Sequence, residues 1–113
     1  MSEVISALNT ELDQSNMREA IAGFPDQIGQ SFSIMSNWTP QNNYIDIRVI
    51  MVLGMGGSAI GGDVARVISQ NSCTVPIIIN RSYNIPEWVN SHTLILASSY
   101  SGGTEETLTA FAQ

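Results

Sequence analysis

Two short apolar runs in this chain each end in a turn built of glycine and hydroxyl-bearing residues. The run VIMVL (residues 49–53) leads into GMGGSAIGG (54–62), and LILA (94–97) leads into SSYSGGT (98–104). An unbroken apolar run ending in glycine predicts a strand that is covered on both faces, as in a parallel sheet. Because parallel strands end at the same edge of a sheet, we expect both turns at the ligand-binding edge.

The order of the predicted elements places these turns in an α/β domain. Residues 63–70 follow the first turn in helical register, and residues 75–79 form a second apolar strand, which Pro76 should start or place at a sheet edge. A third strand at 94–97 precedes a helix that begins near Glu105, where the helix dipole favours acids. This order predicts a doubly wound parallel sheet of flavodoxin-like type, cut short after its third strand.

The N-terminal part differs in period from the rest of the chain. Residues 1–44 are predicted to form a helical segment and a linker, and residues 45–113 the partial α/β domain. Val4, Leu8 and Leu12 form a short apolar stripe.

A longer apolar stripe follows and predicts two helices. Asn16 with Glu19 resembles a capping-box start. Gly23 and Pro25 interrupt the pattern, so Pro25 is expected in the first turn of the second helix. The stripe is expected to pack into a core, and its members are Met17, Ile21, Phe24, Ile28, Phe32 and Met35.

Charge and composition exclude several kinds of site. The chain has 4 basic and 10 acidic side chains, a net charge of -6, and no lysine. A Walker-type phosphate loop and a Schiff base both need lysine, and no basic cluster exists for nucleic acid or a membrane surface. A single cysteine and a single histidine argue against a disulfide framework and a metal centre. Without a signal peptide or a run of ~20 apolar residues, we expect a cytoplasmic protein.

The two turns carry the features of an anion site. Glycine lets backbone N–H groups approach a ligand, and a helix N-terminus adds unpaired donors and partial positive charge. The hydroxyls of Ser58, Ser99, Ser101 and Thr104 would complete the set of donors. In a chain of net charge -6, such neutral donors are the available means of holding a phosphate.

Three interpretations of the first turn remain open. Gly54, Gly56 and Ala59 fit the dinucleotide fingerprint, but residues 74–81 lack the acid that would bind ribose, although Arg81 could meet a 2′-phosphate. A sugar-phosphate site would use both turns and explains the serines of the second. Alternatively, the glycines only permit tight turns.

No nucleophile and base are predicted to act together. Ser58 and Ser101 lack the G-x-S-x-G context. His92 precedes the third strand, at the opposite edge of the sheet, and is expected to be a surface residue. Cys73 lies in a polar turn without an adjacent base and is expected to be a bystander. We therefore assign no catalytic residue.

The turn sequences GMGGSAIGGD (54–63) and SSYSGGTEETL (98–108) resemble the sugar isomerase (SIS) domain. Within that superfamily they are most similar to the bifunctional phosphoglucose/phosphomannose isomerase family. The segments FPDQI (24–28) and RSYNIP (81–86) support the same resemblance, which runs from about residue 16 to the end. Ala59 stands where glycine is common, and Gly103 where asparagine is common.

The resemblance implies a function in carbohydrate metabolism. The family interconverts glucose 6-phosphate or mannose 6-phosphate with fructose 6-phosphate through a carboxylate base and a cis-enediol, without metal or nucleotide cofactor. Its catalytic arginine, glutamate, histidine and lysine are expected after Gln113, so the chain is expected to be an N-terminal fragment of an enzyme that usually dimerises. The implied phosphate-binding residues are Gly56, Gly57, Ser58, Ser99, Ser101 and Thr104.

Two other classes of protein compete with this expectation. One is a non-catalytic SIS module that senses a sugar phosphate in a regulator, although residues 1–35 lack the basic face of a DNA-binding domain. The other is an NADP-binding Rossmann unit.

Overall fold

A computed structural model describes residues 13–113 of the chain. The chain divides into two compact units, one extending to Gln41 and the other running from Asn42 to Gln113. The stripe of Val4, Leu8 and Leu12 lies outside the described residues. The division into residues 1–44 and 45–113 stays a prediction, and both glycine and hydroxyl turns belong to the second unit.

The first unit contains two helices, α1 (Met17–Ala22) and α2 (Phe24–Ser36), which meet at Gly23. Pro25 lies in the first turn of α2, as predicted, where its missing N–H costs no helical hydrogen bond. The predicted interruption of the stripe by Gly23 and Pro25 is therefore confirmed.

The start of α1 is capped by a residue that the pattern did not indicate. Asn16 is the N-cap residue, but it is left-handed (φ 52°) and its side chain donates to the Glu19 carboxylate instead of accepting a backbone N–H. The Asp13 carboxylate accepts the Met17 and Arg18 amides at 2.7 and 2.9 Å. The predicted capping box is therefore wrong: the side chain that accepts the first amides of α1 is that of Asp13 and not that of Asn16. The left-handed backbone of Asn16 allows Asp13 to reach them.

The apolar stripe keeps its helical period but does not form a core. No residue of α1 or α2 is buried. Two helices of 6 and 13 residues offer each other too little surface to bury a stripe of this length. The expectation of core packing is therefore wrong for six side chains that are 46–70% exposed: Met17, Ile21, Phe24, Ile28, Phe32 and Met35.

The second unit is built on a three-stranded parallel sheet. Its strands are β1 (Val49–Leu53), β2 (Ile77–Asn80) and β3 (Thr93–Ala97), in the order β2-β1-β3. This order matches the first three strands of the flavodoxin-like arrangement. Pro76 directly precedes β2, which lies at an edge as predicted. The predicted α/β class is confirmed, and the sheet is compatible with a shortened SIS domain.

Helix α3 (Gly56–Ser69) covers one face of the sheet. A Cβ atom built on Gly62 would lie 3.1 Å from Cγ1 of both Val52 and Ile79, which are partners across β1 and β2. Glycine at this position therefore allows the helix to approach the sheet closely.

Helix α4 (Glu105–Phe111) covers the opposite face. Its buried Ala110 packs with Met51 and Leu53, whose side chains point away from that of Val52 because successive strand residues alternate. Helices on both faces make the sheet doubly wound, as predicted. Three half-buried residues complete this core: Ile85, Val89 and Ile95.

The first glycine segment is helical, which differs from the prediction. Helix α3 begins at Gly56, whereas the pattern predicted a turn up to residue 62 and a helix from Asp63. Each glycine in a helix costs about 1 kcal/mol relative to alanine, so local propensity argues against a helix here. Packing overrides that propensity, since Ala59 and Gly62 are buried against the sheet.

Gly62→Ala is expected to destabilise the second unit. The added methyl must shift both Val52 and Ile79, a packing cost of about 1–3 kcal/mol that we expect to exceed the gain of up to about 1 kcal/mol in helix propensity. Gly61→Ala is the matched control, because its methyl meets nothing within 4 Å and should add up to about 1 kcal/mol through helix propensity. Urea denaturation measures both variants, and equal stabilities would contradict the packing of α3.

Candidate functional site

The two turns lie at the point where the strand order reverses. The chain leaves β1 for β2 on one side and later reaches β3 on the other, so the carboxyl ends of β1 and β3 flank the switch point. Gly54 follows β1 and Ser98 follows β3, and the Ser98 N–H donates to the Leu53 carbonyl at 2.8 Å. The expectation that the turns lie together is confirmed.

Gly54 is the place where the two turns approach most closely. A Cβ atom there would lie 3.0 Å from the Ser98 carbonyl oxygen and 3.3 Å from the Ala59 nitrogen. Contacts this short would force the backbone to shift, and Gly54 and Ala59 are both buried. The backbones at the end of β1, the start of α3 and the second turn therefore pack closely at Gly54, where a side chain would not fit.

The start of α3 presents backbone donors at this edge. Among residues 13–113, no group accepts the N–H of Gly56 or Gly57, and both residues are exposed. Gly56 has a φ of +50°, a conformation that favours glycine. The Ser58 N–H bonds back to the Met55 carbonyl at 3.1 Å. A 14-residue helix thus offers two unpaired amides at its positive end.

Ser58 connects the two turns. Its Oγ accepts the Tyr100 N–H at 3.2 Å, and its carbonyl oxygen accepts the Ser98 hydroxyl at 3.1 Å. Sequence reasoning selected Ser58 but missed Ser98 and the Tyr100 amide. No spacing distinguishes Ser98 from the serines that follow it, so the pattern holds no signal for its different partner.

Three hydroxyls of the second turn form a compact cluster. Ser99 Oγ lies 2.9 Å from Thr104 Oγ1 and 3.4 Å from Ser101 Oγ, and the last two atoms are 3.3 Å apart. The Gly102 and Gly103 amides donate to Ser99 and Ser101 at 3.1 and 3.3 Å. Because each hydroxyl rotates freely and holds one proton, all three can turn toward a single acceptor.

Thr104 serves this cluster instead of its own helix. It is the N-cap residue of α4, a position where threonine usually accepts a first-turn amide. Its side chain makes no such bond and faces Ser99 and Ser101 instead. The structure therefore brings Ser99, Ser101 and Thr104 together, and links them through Ser58 to the start of α3.

The segment after β2 lies beside the first turn of α4. The negative charges of Glu105 and Glu106 raise the pKa of the Tyr83 phenol, and a hydrogen bond with Glu106 adds to the shift. The Gln113 side chain donates to the Tyr83 carbonyl at 2.7 Å and accepts the Ile85 amide at 3.2 Å. These contacts attach the segment to both ends of α4.

Arg81 is already paired, which weakens the dinucleotide interpretation. Its guanidinium bonds the Asp63 carboxylate of α3, and Arg66 lies 3.7 Å from the same carboxylate. β2 ends at Asn80, whose side chain donates to the Asn84 carbonyl at 3.0 Å. No acid stands at the end of β2 for a ribose, and the residue proposed for a 2′-phosphate has another partner.

The histidine and the cysteine lie away from the turns. His92 is at the amino end of β3, with Nδ1 3.0 Å from the Asp46 carbonyl oxygen. Cys73 is exposed, and its thiol bonds the Val75 carbonyl at 3.3 Å. In the part of the chain that the structure describes, no three His, Cys, Asp or Glu side chains could hold a metal ion. None of the helices formed there is long and apolar enough to cross a membrane.

The geometry defines a class: an open parallel α/β domain with neutral hydrogen-bond donors at its switch point. A protein of Caldicellulosiruptor bescii named bifunctional phosphoglucose/phosphomannose isomerase is 44% identical to this chain over 95 residues, which are 84% of the chain. The chain belongs to the bifunctional phosphoglucose/phosphomannose isomerase family, as its turn sequences indicated.

Other relatives agree over a shorter length. Proteins of the same name from Thermoplasma acidophilum and Thermoplasma volcanium are 46% and 43% identical over 61 residues, which are 54% of this chain. The matched residues cover 28% of the Caldicellulosiruptor protein and 19% of each Thermoplasma protein, so the chain spans a minor part of their length. No family model and no solved structure matches the chain.

Glu105→Gln and Glu106→Gln are each expected to lower the pKa of Tyr83 toward 10.0. Removing either negative charge makes the phenolate less unfavourable. Absorbance titration of the phenol, in a chain with Tyr44 and Tyr100 replaced by phenylalanine, measures the change. Glu87→Gln is the control and should leave the titration as it is.

The same shift predicts how stability depends on pH. Because folding raises the pKa of Tyr83, the folded state holds the phenol proton more tightly than the unfolded state does. The contribution of the protonated Tyr83 phenol to stability is complete below pH about 10, and it is lost as the pH rises through the raised pKa of the folded state. Denaturation at increasing alkaline pH should show a smaller loss in Tyr83→Phe than in the unsubstituted chain.

Proposed function

We propose that this chain supplies the sugar-phosphate-binding part of an isomerase. The substrates would be glucose 6-phosphate or mannose 6-phosphate, interconverted with fructose 6-phosphate. The observation that carries the proposal is the cluster of Ser99, Ser101 and Thr104 hydroxyls within 3.4 Å of one another, joined through Ser58 to the start of α3. The names of the relatives support the class of substrate.

The phosphate would be held entirely by neutral donors. Hydroxyls rotate toward an anion, and hydrogen bonds to a charged acceptor are about twice as strong as neutral ones. The helix dipole of α3 favours negative charge at the same place. The proposed ligands are the amides of Gly56 and Gly57 and the hydroxyls of Ser58, Ser99, Ser101 and Thr104.

The role of such a site is to position the substrate. Holding the phosphate fixes the distance of the reacting carbons from a base, which lowers the entropic part of the barrier. The resemblance implies a histidine and a lysine among the catalytic groups, and these turns provide neither, since the chain has no lysine and His92 lies at the opposite edge. We place those groups in the longer protein, whose dimeric state and cytoplasmic location stay predictions.

A comparison of ligands tests the proposal. Glucose 6-phosphate is expected to bind the chain, and Ser101→Ala should weaken binding about tenfold, the value of one hydrogen bond to a charged group. Ser91→Ala is the matched control, because Ser91 precedes β3 at the other edge of the sheet. Titration calorimetry with glucose 6-phosphate and NADP gives the readout. Binding of NADP without binding of the sugar phosphate would show that the proposal is wrong.

The 113-residue chain is expected to bind its ligand without turning it over. The proposed phosphate ligands belong to this chain, but the chain has no lysine and its histidine lies at the opposite edge of the sheet. A coupled assay for fructose 6-phosphate, with the purified chain at micromolar concentration, should give the rate of the buffer alone. Turnover above that rate, abolished by Ser101→Ala, would contradict the assignment of catalysis to other segments.

A further inference from the structure

The hydrogen bonds between the two turns converge on Ser58 from residues that are not themselves proposed ligands. The Ser98 hydroxyl donates to the Ser58 carbonyl, and this pair of residues is half-buried. The Tyr100 N–H donates to the Ser58 hydroxyl. Ser98 also continues the β1–β3 ladder through its N–H. It is therefore fixed to the sheet on one side and to α3 on the other.

This arrangement determines what the Ser58 hydroxyl can do. One lone pair of Oγ receives the Tyr100 amide, so the hydroxyl proton is left to point elsewhere. An anion at the edge of the sheet can only accept hydrogen bonds, so it could accept one from the Ser58 hydroxyl. The Tyr100 amide itself is occupied, so the second turn contributes hydroxyls to the site and not this amide.

Within residues 13–113, the Ser98 hydroxyl makes one of two side-chain hydrogen bonds between the second turn and the start of α3. Among the described residues, the side-chain bonds between the start of α3 and the second turn are those of Ser98 and Ser58. Without the Ser98 hydroxyl, the side-chain bond that remains between the second turn and α3 is the 3.2 Å bond from the exposed Tyr100.

We propose that Ser98 is a positioning residue for the phosphate site: its hydroxyl anchors the second turn to the Ser58 carbonyl, so that the Ser58 hydroxyl and the cluster of Ser99, Ser101 and Thr104 face one ligand. The proposal rests on the proposed function. It assigns Ser98 no contact with the ligand.

Two substitutions of Ser98 separate this role from general stability. Ser98→Ala is expected to weaken glucose 6-phosphate binding about fivefold to tenfold, the value of one hydrogen bond that orders the site. Ser98→Thr keeps the hydroxyl and should bind within about twofold of the unsubstituted chain. Ser91→Ala again serves as the control. Ser98→Ala binding as tightly as the unsubstituted chain would overturn the proposal.

Amide hydrogen exchange supplies a readout that does not depend on the ligand. In Ser98→Ala the Tyr100 amide should exchange about fivefold to tenfold faster, because its bond to Ser58 is no longer supported. The Gly102 amide, which bonds Ser99 within the turn, should keep its rate. Equal acceleration of both amides, without rescue by Ser98→Thr, would reduce Ser98 to a stabilising residue and overturn the proposal.

Failure of the proposed function is distinguishable from failure of this inference. If the unsubstituted chain does not bind glucose 6-phosphate, the sugar-phosphate assignment is wrong, and with it the positioning of a phosphate. In that case the Tyr100 exchange rate still decides whether Ser98 holds the turns together. If the unsubstituted chain binds and the Tyr100 amide is unaffected by Ser98→Ala, the positioning role alone is wrong.

Discussion

The absence of a side chain at Gly54 is the constraint on which the carboxyl edge of the sheet depends. Its Cβ position lies 3.0 Å from the Ser98 carbonyl oxygen and 3.3 Å from the Ala59 nitrogen, so any other residue would separate the second turn from the start of α3. The ladder bond from Ser98 to Leu53 and both bonds to Ser58 are formed at this point. The position of the second turn, and with it that of the hydroxyl cluster, therefore depends on the close backbone approach at Gly54.

Residues at this edge depart from the usual local rules for helix starts. The Thr104 hydroxyl leaves the first turn of α4 without its usual side-chain cap, and the glycines at the start of α3 lower its helix propensity. Local rules that are broken without a structural gain tend to mark functional positions. Here both departures lie at the same strand ends, which agrees with a ligand site placed where the strand order reverses.

The strands and the edge position of β2 were predicted correctly from the sequence, whereas the start of α3 and the partner of Ser98 were not. The apolar runs and Pro76 predicted the strands and the edge position of β2, because run length and a missing N–H act locally. The start of α3 at Gly56 was missed because it depends on burial of Gly62 against the sheet. The partner of Ser98 lies forty residues away in sequence, a distance that no local pattern encodes.

The neutral character of the donors has a consequence for ionic strength. Sites that hold phosphate with lysine or arginine weaken as salt screens the attraction, over a Debye length of about 10 Å at 0.1 M. Here the hydroxyls act at contact distance and are little affected, whereas the net charge of -6 repels an approaching dianion from farther away. Salt screens that repulsion. Salt also screens the dipole of α3, so under the proposed function the affinity for a sugar phosphate would fall less with ionic strength than it does at a site built on lysine or arginine.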